Sequence, residues 1–248
     1  MANKRKAKIW FVVFISLVAL FILLQLPAAW LINKFAPNLR TLQNVSGNIW
    51  HGQADWHVNG VQGTVSWSTR PWEIIRLRIA SNVVIHSGQT QLQGIVGYSI
   101  TKRIHLNHVE GKVSSDTLSQ FLPWTWPSTT MNAQDIQVVF KRGQGFEHAE
   151  GQVTWAGGSL MYPIAQRQER IDVPPLVTDL SADKNKLKAL VKNSQQQRMA
   201  DIVFGEDGML DVQITQRFLL HSPSYKGQAG LDTAVISTRQ PLSSLRGM

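Results

Sequence analysis

The sequence predicts a mostly β protein in which one N-terminal transmembrane helix precedes a single elongated, curled, largely antiparallel β-sheet domain carrying one short helix. Three observations lead there. No charged residue occurs from Ile9 through Ile32, a length that spans a hydrocarbon core at about 1.5 Å per helical residue. Beyond Pro37, short segments rich in Val, Ile, Thr and Trp alternate with polar residues and are separated by Gly, Asn and Asp, which is the period-two pattern of half-buried strands. A strand pattern with a glycine inside it then recurs along the chain.

Within Ile9 to Leu26, fourteen residues are Leu, Ile, Phe or Val, which favours membrane insertion by about 4 to 8 kcal/mol. Only Gln25 resists. A cleaved signal peptide would have a shorter apolar core, and cleavage in Leu26-Pro27-Ala28-Ala29-Trp30 would put Leu26 or Pro27 where a small residue is required. Retention as an anchor is therefore the expectation. Trp10 and Trp30 stand near the two ends of the stretch, where an indole prefers the headgroup region, and Pro27 lies beside the second. Lys4, Arg5, Lys6 and Lys8 precede the span, whereas only Lys34 and Arg40 follow it closely. The N-terminus is expected to stay cytoplasmic. This divides the chain into a basic tail (1–8), a membrane helix (9–32), a juxtamembrane linker (33–44) and a β domain on the far side (45–248).

The 248 residues carry a formal charge of +9. Residues 1–54 hold six of the 25 basic residues and none of the 16 acidic ones, which leaves an excess of +3 for the rest. The basicity is largely topological and suits a domain facing a membrane surface, so nucleic acid is not expected as a partner. The chain has no cysteine, which excludes thiolate zinc sites, thiol redox chemistry and cysteine nucleophiles.

The strands can be placed one by one. Val61, Val65 and Trp67 fall on one face of Gly60 to Trp67, with Gln62, Thr64 and Ser66 on the other. Ala133–Phe140, Met199–Phe204 and Met209–Thr215 behave likewise, and Gly205-Glu206-Asp207-Gly208 between the last two reads as a hairpin loop. Val61-Gln62-Gly63-Thr64-Val65-Ser66-Trp67 is echoed by Ala149-Glu150-Gly151-Gln152-Val153-Thr154-Trp155, and more weakly around Gly94 and Gly111. The spacings are irregular, and glycines so placed mark bulges or close backbone approach. Asp116–Leu122, with Ser115 or Asp116 as N-cap and Pro123 as its stop, predicts one short helix. Ala182–Met199 has some helical spacing but is read as a strand and then an exposed turn.

Residues that could carry chemistry are few. His105 and His108 form the tightest histidine pair, but residues three apart in a strand face opposite ways, so no metal site is expected. Gly157-Gly158-Ser159-Leu160-Met161 lacks the second glycine of a nucleophile elbow and reads as a hairpin turn. No phosphate-binding or dinucleotide loop occurs. No catalytic residue and no cofactor is assigned, and the chain is not expected to be an enzyme. The nine tryptophans instead suggest a large aromatic core. In Pro123-Trp124-Thr125-Trp126-Pro127 two prolines hold the chain extended, making Trp124 and Trp126 candidates for contact with a partner or with lipid, against packing beneath the loop.

Leu26-Pro27-Ala28-Ala29-Trp30, then Val45-x-Gly47-x-Ile49-Trp50-x-Gly52-x-Ala54, then Trp67 followed by Arg70-Pro71-Trp72, together resemble the type II secretion system protein N family, also called general secretion pathway protein N. Asn48 and His51 stand where small hydroxyl residues are more usual, at positions expected to be turn or surface. The resemblance implies a single-pass protein of the Gram-negative inner membrane whose β domain is periplasmic. It implies a role in exporting folded proteins, as an accessory that binds other components of the secretion apparatus and inner-membrane lipid. It implies no catalytic residues. Gly47 and Gly52 would serve backbone geometry, and Trp50 would pack the sheet to its anchor; if that ring is core, Trp50→Ala costs about 3 to 5 kcal/mol. Trp67, Pro71 and Trp72 complete the motif. A looser likeness, of general architecture, is to the AsmA-like proteins. It supplies the alternative of a periplasmic lipid-binding or lipid-transfer protein holding lipid in a curled sheet.

Overall fold

The computed structural model describes residues 2–35, 41–58, 60–121, 124–164 and 167–241. Two helices come first, α1 (Ala2–Gln25) and α2 (Ala28–Phe35). Proline has no N–H to continue a helix and disfavours helical geometry in the residue before it, so the apolar stretch divides at Leu26-Pro27. Among the described residues no helix is long and apolar enough to cross a membrane. The side chains of residues 2–9, 19, 20 and 23 lie outside the described ones. Those described between Trp10 and Val18, and Phe21, Ile22 and Leu24, are exposed and predominantly apolar.

The rest is almost entirely strand, in the order β1 (Leu42–Gly47), β2 (His51–Val58), β3 (Val61–Thr69), β4 (Arg78–Ser87), β5 (Thr90–Ser99), β6 (Arg103–Val113), β7 (Met131–Lys141), β8 (Gly145–Trp155), β9 (Gly158–Ile164), β10 (Arg167–Val173), β11 (Leu176–Asp183), β12 (Lys186–Asn193), β13 (Arg198–Phe204), β14 (Met209–Thr215) and β15 (Ala234–Pro241). Thirteen of them form one antiparallel sheet in which each strand pairs with its neighbours in the chain, except that β8 passes directly to β11. The sheet is open, with β1 and β15 as its ends. The β9–β10 hairpin is a separate two-stranded unit. β1 opens at Leu42, inside the residues expected as linker.

Local pattern accounts for much of this. Alternation puts Ala54, Val65, Ile85 and Leu92 in successive cross-strand register on one face from β2 to β5. The recurrent glycines stand where a neighbouring backbone leaves no room. A Cβ on Gly63 would lie 2.0 Å from the His86 carbonyl oxygen, and one on Gly111 would lie 2.1 Å from that of Gln91. Register shifts fall at Gln93/Ile95, Val109/Gly111 and Gln134/Gln137, so the echoed glycines at 94, 111 and 151 lie at bulges, whereas Gly63 stands in unshifted register and serves close backbone approach. The loop at 205–208 joins β13 to β14 as expected. Residues 186–193 form a strand followed by a turn, in which the Asn193 side-chain oxygen accepts from the Gln195 and Gln197 N–H groups.

Two expectations need correction. The glycine pair at 157–158 does not close a hairpin, because β8 and β9 do not pair with each other. Gly157, at φ +74°, with the Val173 carbonyl oxygen 2.3 Å from where a Cβ would stand, lets the chain leave the sheet beside the end of β10. The short helix, α3 (Ser115–Phe121), starts one residue early. Ser114 occupies the position before it, its carbonyl accepting from the Leu118 N–H and its side chain held by Thr90 and Thr117. Leu122 and Pro123, the expected end, lie outside the described residues. A 3-10 helix (Pro71–Arg76) and a helix α4 (Gln216–Leu219) were not anticipated.

Among the described residues two clusters stand out in the core. One joins Trp155 of β8 to Leu160, Ile171 and Val173 of the β9–β10 hairpin. The other gathers Val138, Phe146 and Ala149, with Phe140 and Phe204 against them.

Candidate functional site

The motif residues scattered between 26 and 72 converge on one joint between the helices and the sheet. The β1–β2 turn meets the helix break: Pro27 bridges Asn48, and the Ile49 N–H donates to the Leu26 carbonyl at 3.2 Å. Gly47, at φ +86°, opens the turn, and a Cβ there would lie 2.4 Å from the His51 carbonyl oxygen. Asn48 then accepts from the N–H groups of Trp50 and His51 at 2.9 and 2.8 Å, a side-chain turn of the kind that small hydroxyl residues also make.

The hairpin of β2 and β3 braces this turn. Gly52 faces Trp67 across the ladder, and the indole fills the space a side chain would need, 2.3 Å from an ideal Cβ. The Trp67 Nε1–H donates to the Asn48 carbonyl at 3.2 Å, and the Thr69 hydroxyl donates to that of Ile49 at 2.8 Å. The same exchange recurs inverted further along, with Trp56 beside Gly63. Trp50 is half-buried at the joint, so its truncation is expected to cost less than removal of a fully buried ring. Pro71 opens the 3-10 helix and Trp72 projects from it, 79% exposed. Glu73, on the same helix, takes two bonds from Arg78 at 3.0 and 2.6 Å, and that guanidinium holds its carboxyl below the usual range.

At the opposite end of β2–β6 lies an apolar hollow of about 460 Å³, lined by Trp56, Val58, Val65, Ile85 and Leu92 among others. Three hydroxyls on its wall are engaged: Ser87 donates to the Gln62 carbonyl, and Thr90 and Thr117 are joined to each other, with Ser114 bonded to Thr90. The Trp56 Nε1–H is buried with no hydrogen-bond partner among the described residues.

The other predicted residues fall elsewhere. Trp124 and Trp126 stack on each other at 5.7 Å, Trp126 meets Trp155 edge-on at 5.8 Å, and both pack on the core under the β9–β10 hairpin. Trp10 and Trp30 are exposed on α1 and α2, with the Lys34 ammonium 5.3 Å from the Trp30 ring centre. His105 and His108 are separated by a register shift, and His108 pairs with Asp135 at 2.6 Å. Burial pushes the His105 imidazole down. Among the described residues no group of three or more histidines and carboxylates gathers as a metal site. Sequence reasoning missed the hollow and the exposed run after Trp72. The adjacent Ile74 and Ile75, which no strand could turn to one face, were its available signal.

Fold and joint together define a helix-tethered, open β-meander protein. Residues 37–234 match the family described as type II secretion system protein N. The chain belongs to that family, and so to the components of the type II secretion system. No curated protein and no solved structure matches it.

Proposed function

We propose that the chain is an accessory, bitopic component of the type II secretion system that works by protein–protein binding in the export of folded proteins from the periplasm. Residues 1–8 are its cytoplasmic tail, 9–32 its passage through the inner membrane, 33–44 the linker and 45–248 its periplasmic domain. The observation that carries this is the family match over most of the β domain. The exposed apolar side chains of α1 support the anchor, as does the basic flank before it. The motif residues support it from the other side, since they are spent on fixing the sheet to the helix break. Trp50, Gly47, Gly52 and Trp67 act there as structural residues.

A second reading, that of a lipid-binding protein, is favoured by the apolar hollow, whose size suits a small apolar ligand. Deletion in the native host separates the two. Exported proteins held in the periplasm of cells with an intact envelope are expected; continued secretion with altered outer-membrane lipid and permeability would replace the secretion role with lipid handling.

A further inference from the structure

An exposed apolar cluster stands at the end of the sheet that meets the helices. Trp72 and Ile75 are 79% and 78% exposed, and Leu77, Ile79, Tyr98 and Ile100 are each more than half exposed. Four of its members are joined by strand pairing, and Trp72 and Ile75 adjoin them along the chain. Ile79 is the cross-strand partner of Tyr98, and the Ile100 N–H donates to the Leu77 carbonyl at 3.3 Å. Soluble surfaces rarely leave such a patch bare.

Its place in the fold says what covers it. An unbroken set of backbone bonds runs from the end of α1 to the cluster: Ile49 to Leu26 at 3.2 Å, Thr69 to Trp50 at 2.6 Å, Arg70 to Ala80 at 2.8 Å. β2 and β4 are two strand spacings apart, about 10 Å, so the cluster sits on the same end of the molecule as the apolar helix. The charge agrees. From Gly60 to Val109 the chain has one acidic residue, Glu73, and Arg78 engages it. Arg70, Arg76 and Lys102 surround the cluster with exposed cations. Trp and branched aliphatic side chains flanked by Arg and Lys are the composition of a segment that lies at the boundary of headgroups and acyl chains.

We propose that the Trp72–Ile75 tip and the β5–β6 turn seat the β domain on the anionic lipid surface beside α1, as a second membrane contact. The contact would fix the tilt of the sheet against the bilayer. This rests on the reading of α1 as an anchor, and the test separates the two.

The chain has no cysteine, so single cysteines can be placed in the full-length protein at Ile75, at Gln196 in the exposed far-end turn, and at Val18 on α1. Each is given a nitroxide label in vesicles of phosphatidylethanolamine and phosphatidylglycerol, and its collision rates with oxygen and with a water-soluble nickel chelate are compared. In Ile75→Cys the oxygen-to-nickel ratio should exceed that of Gln196→Cys several-fold. An Ile75 label as aqueous as the Gln196 label overturns the inference, and that is also the outcome if a protein covers the patch. The Val18→Cys label reports the anchor independently: lipid at Val18 with water at Ile75 sinks only the second contact. With the label moved to Ile100, Trp72→Asp should shift it toward water; an unchanged ratio there overturns the role given to the indole.

Discussion

Gly63 sits in a strand where the neighbouring chain has closed in, and its hydrogen is all that fits. Gly63→Ala is expected to destabilise the domain by about 1 to 3 kcal/mol as β3 or β4 shifts to make room, read as a lower urea midpoint with an unchanged slope. The tryptophans divide in the same assay. Trp67→Ala removes a ring lying on Gly52 and a bond to the Asn48 carbonyl, and should cost about 3 kcal/mol. Trp72→Ala, on an exposed ring, should stay within about 0.5 kcal/mol. At this scale the sequence was informative about geometry and silent about exposure. The inward face of Trp67 and the bulge glycines follow from alternation, which is local. That Trp72 is left uncovered by the rest of the chain while Trp126 packs on Trp155 depends on which strands lie beneath them, which alternation does not encode.

Strands β8, β11 and β12 are pinned to one another by Asp179, which accepts from Lys192 at 2.8 Å and from Gln152 at 2.9 Å. These bonds hold its carboxyl below the usual range. A lowered folded value means the contribution is complete above the unfolded pKa of about 3.9 and disappears as pH falls through the folded one. For a partly exposed pair it amounts to less than about 1 kcal/mol. Asp179→Asn should therefore lower the urea midpoint slightly at pH 7 and leave it unchanged near pH 2; an equal loss at both would show the effect is not ionic. Among the elements, the β13–β14 hairpin was legible because turn chemistry and both flanking alternations lie within eighteen residues. The β9–β10 excursion was not. Gly157-Gly158 has the composition of a hairpin turn, and only the competition between β10 and β8 for β9 decides that it is a junction.

The whole molecule is an open sheet, and an open sheet has edges. β15 is exposed along most of its length, and removing residues 234–248 would uncover β14, whose Leu210, Val212 and Ile214 alternate beside a newly free edge. That truncation should convert monodisperse protein into oligomers by light scattering, since a flat apolar edge recruits other strands. The β class and antiparallel character were readable at this scale. The strand order was not, because period-two patterning specifies a face and never a neighbour.

That order has a consequence for how the protein is made. Apart from the passage from β8 to β11, each strand of the sheet finds its partner in the strand synthesised just before it. Most steps close a short loop and cost little chain entropy, the longer connections being 114–130, 156–175 and 216–233. A chain delivered end first through a narrow pore could lay down this sheet one rung at a time as it arrives, always offering the newest edge to the segment still emerging.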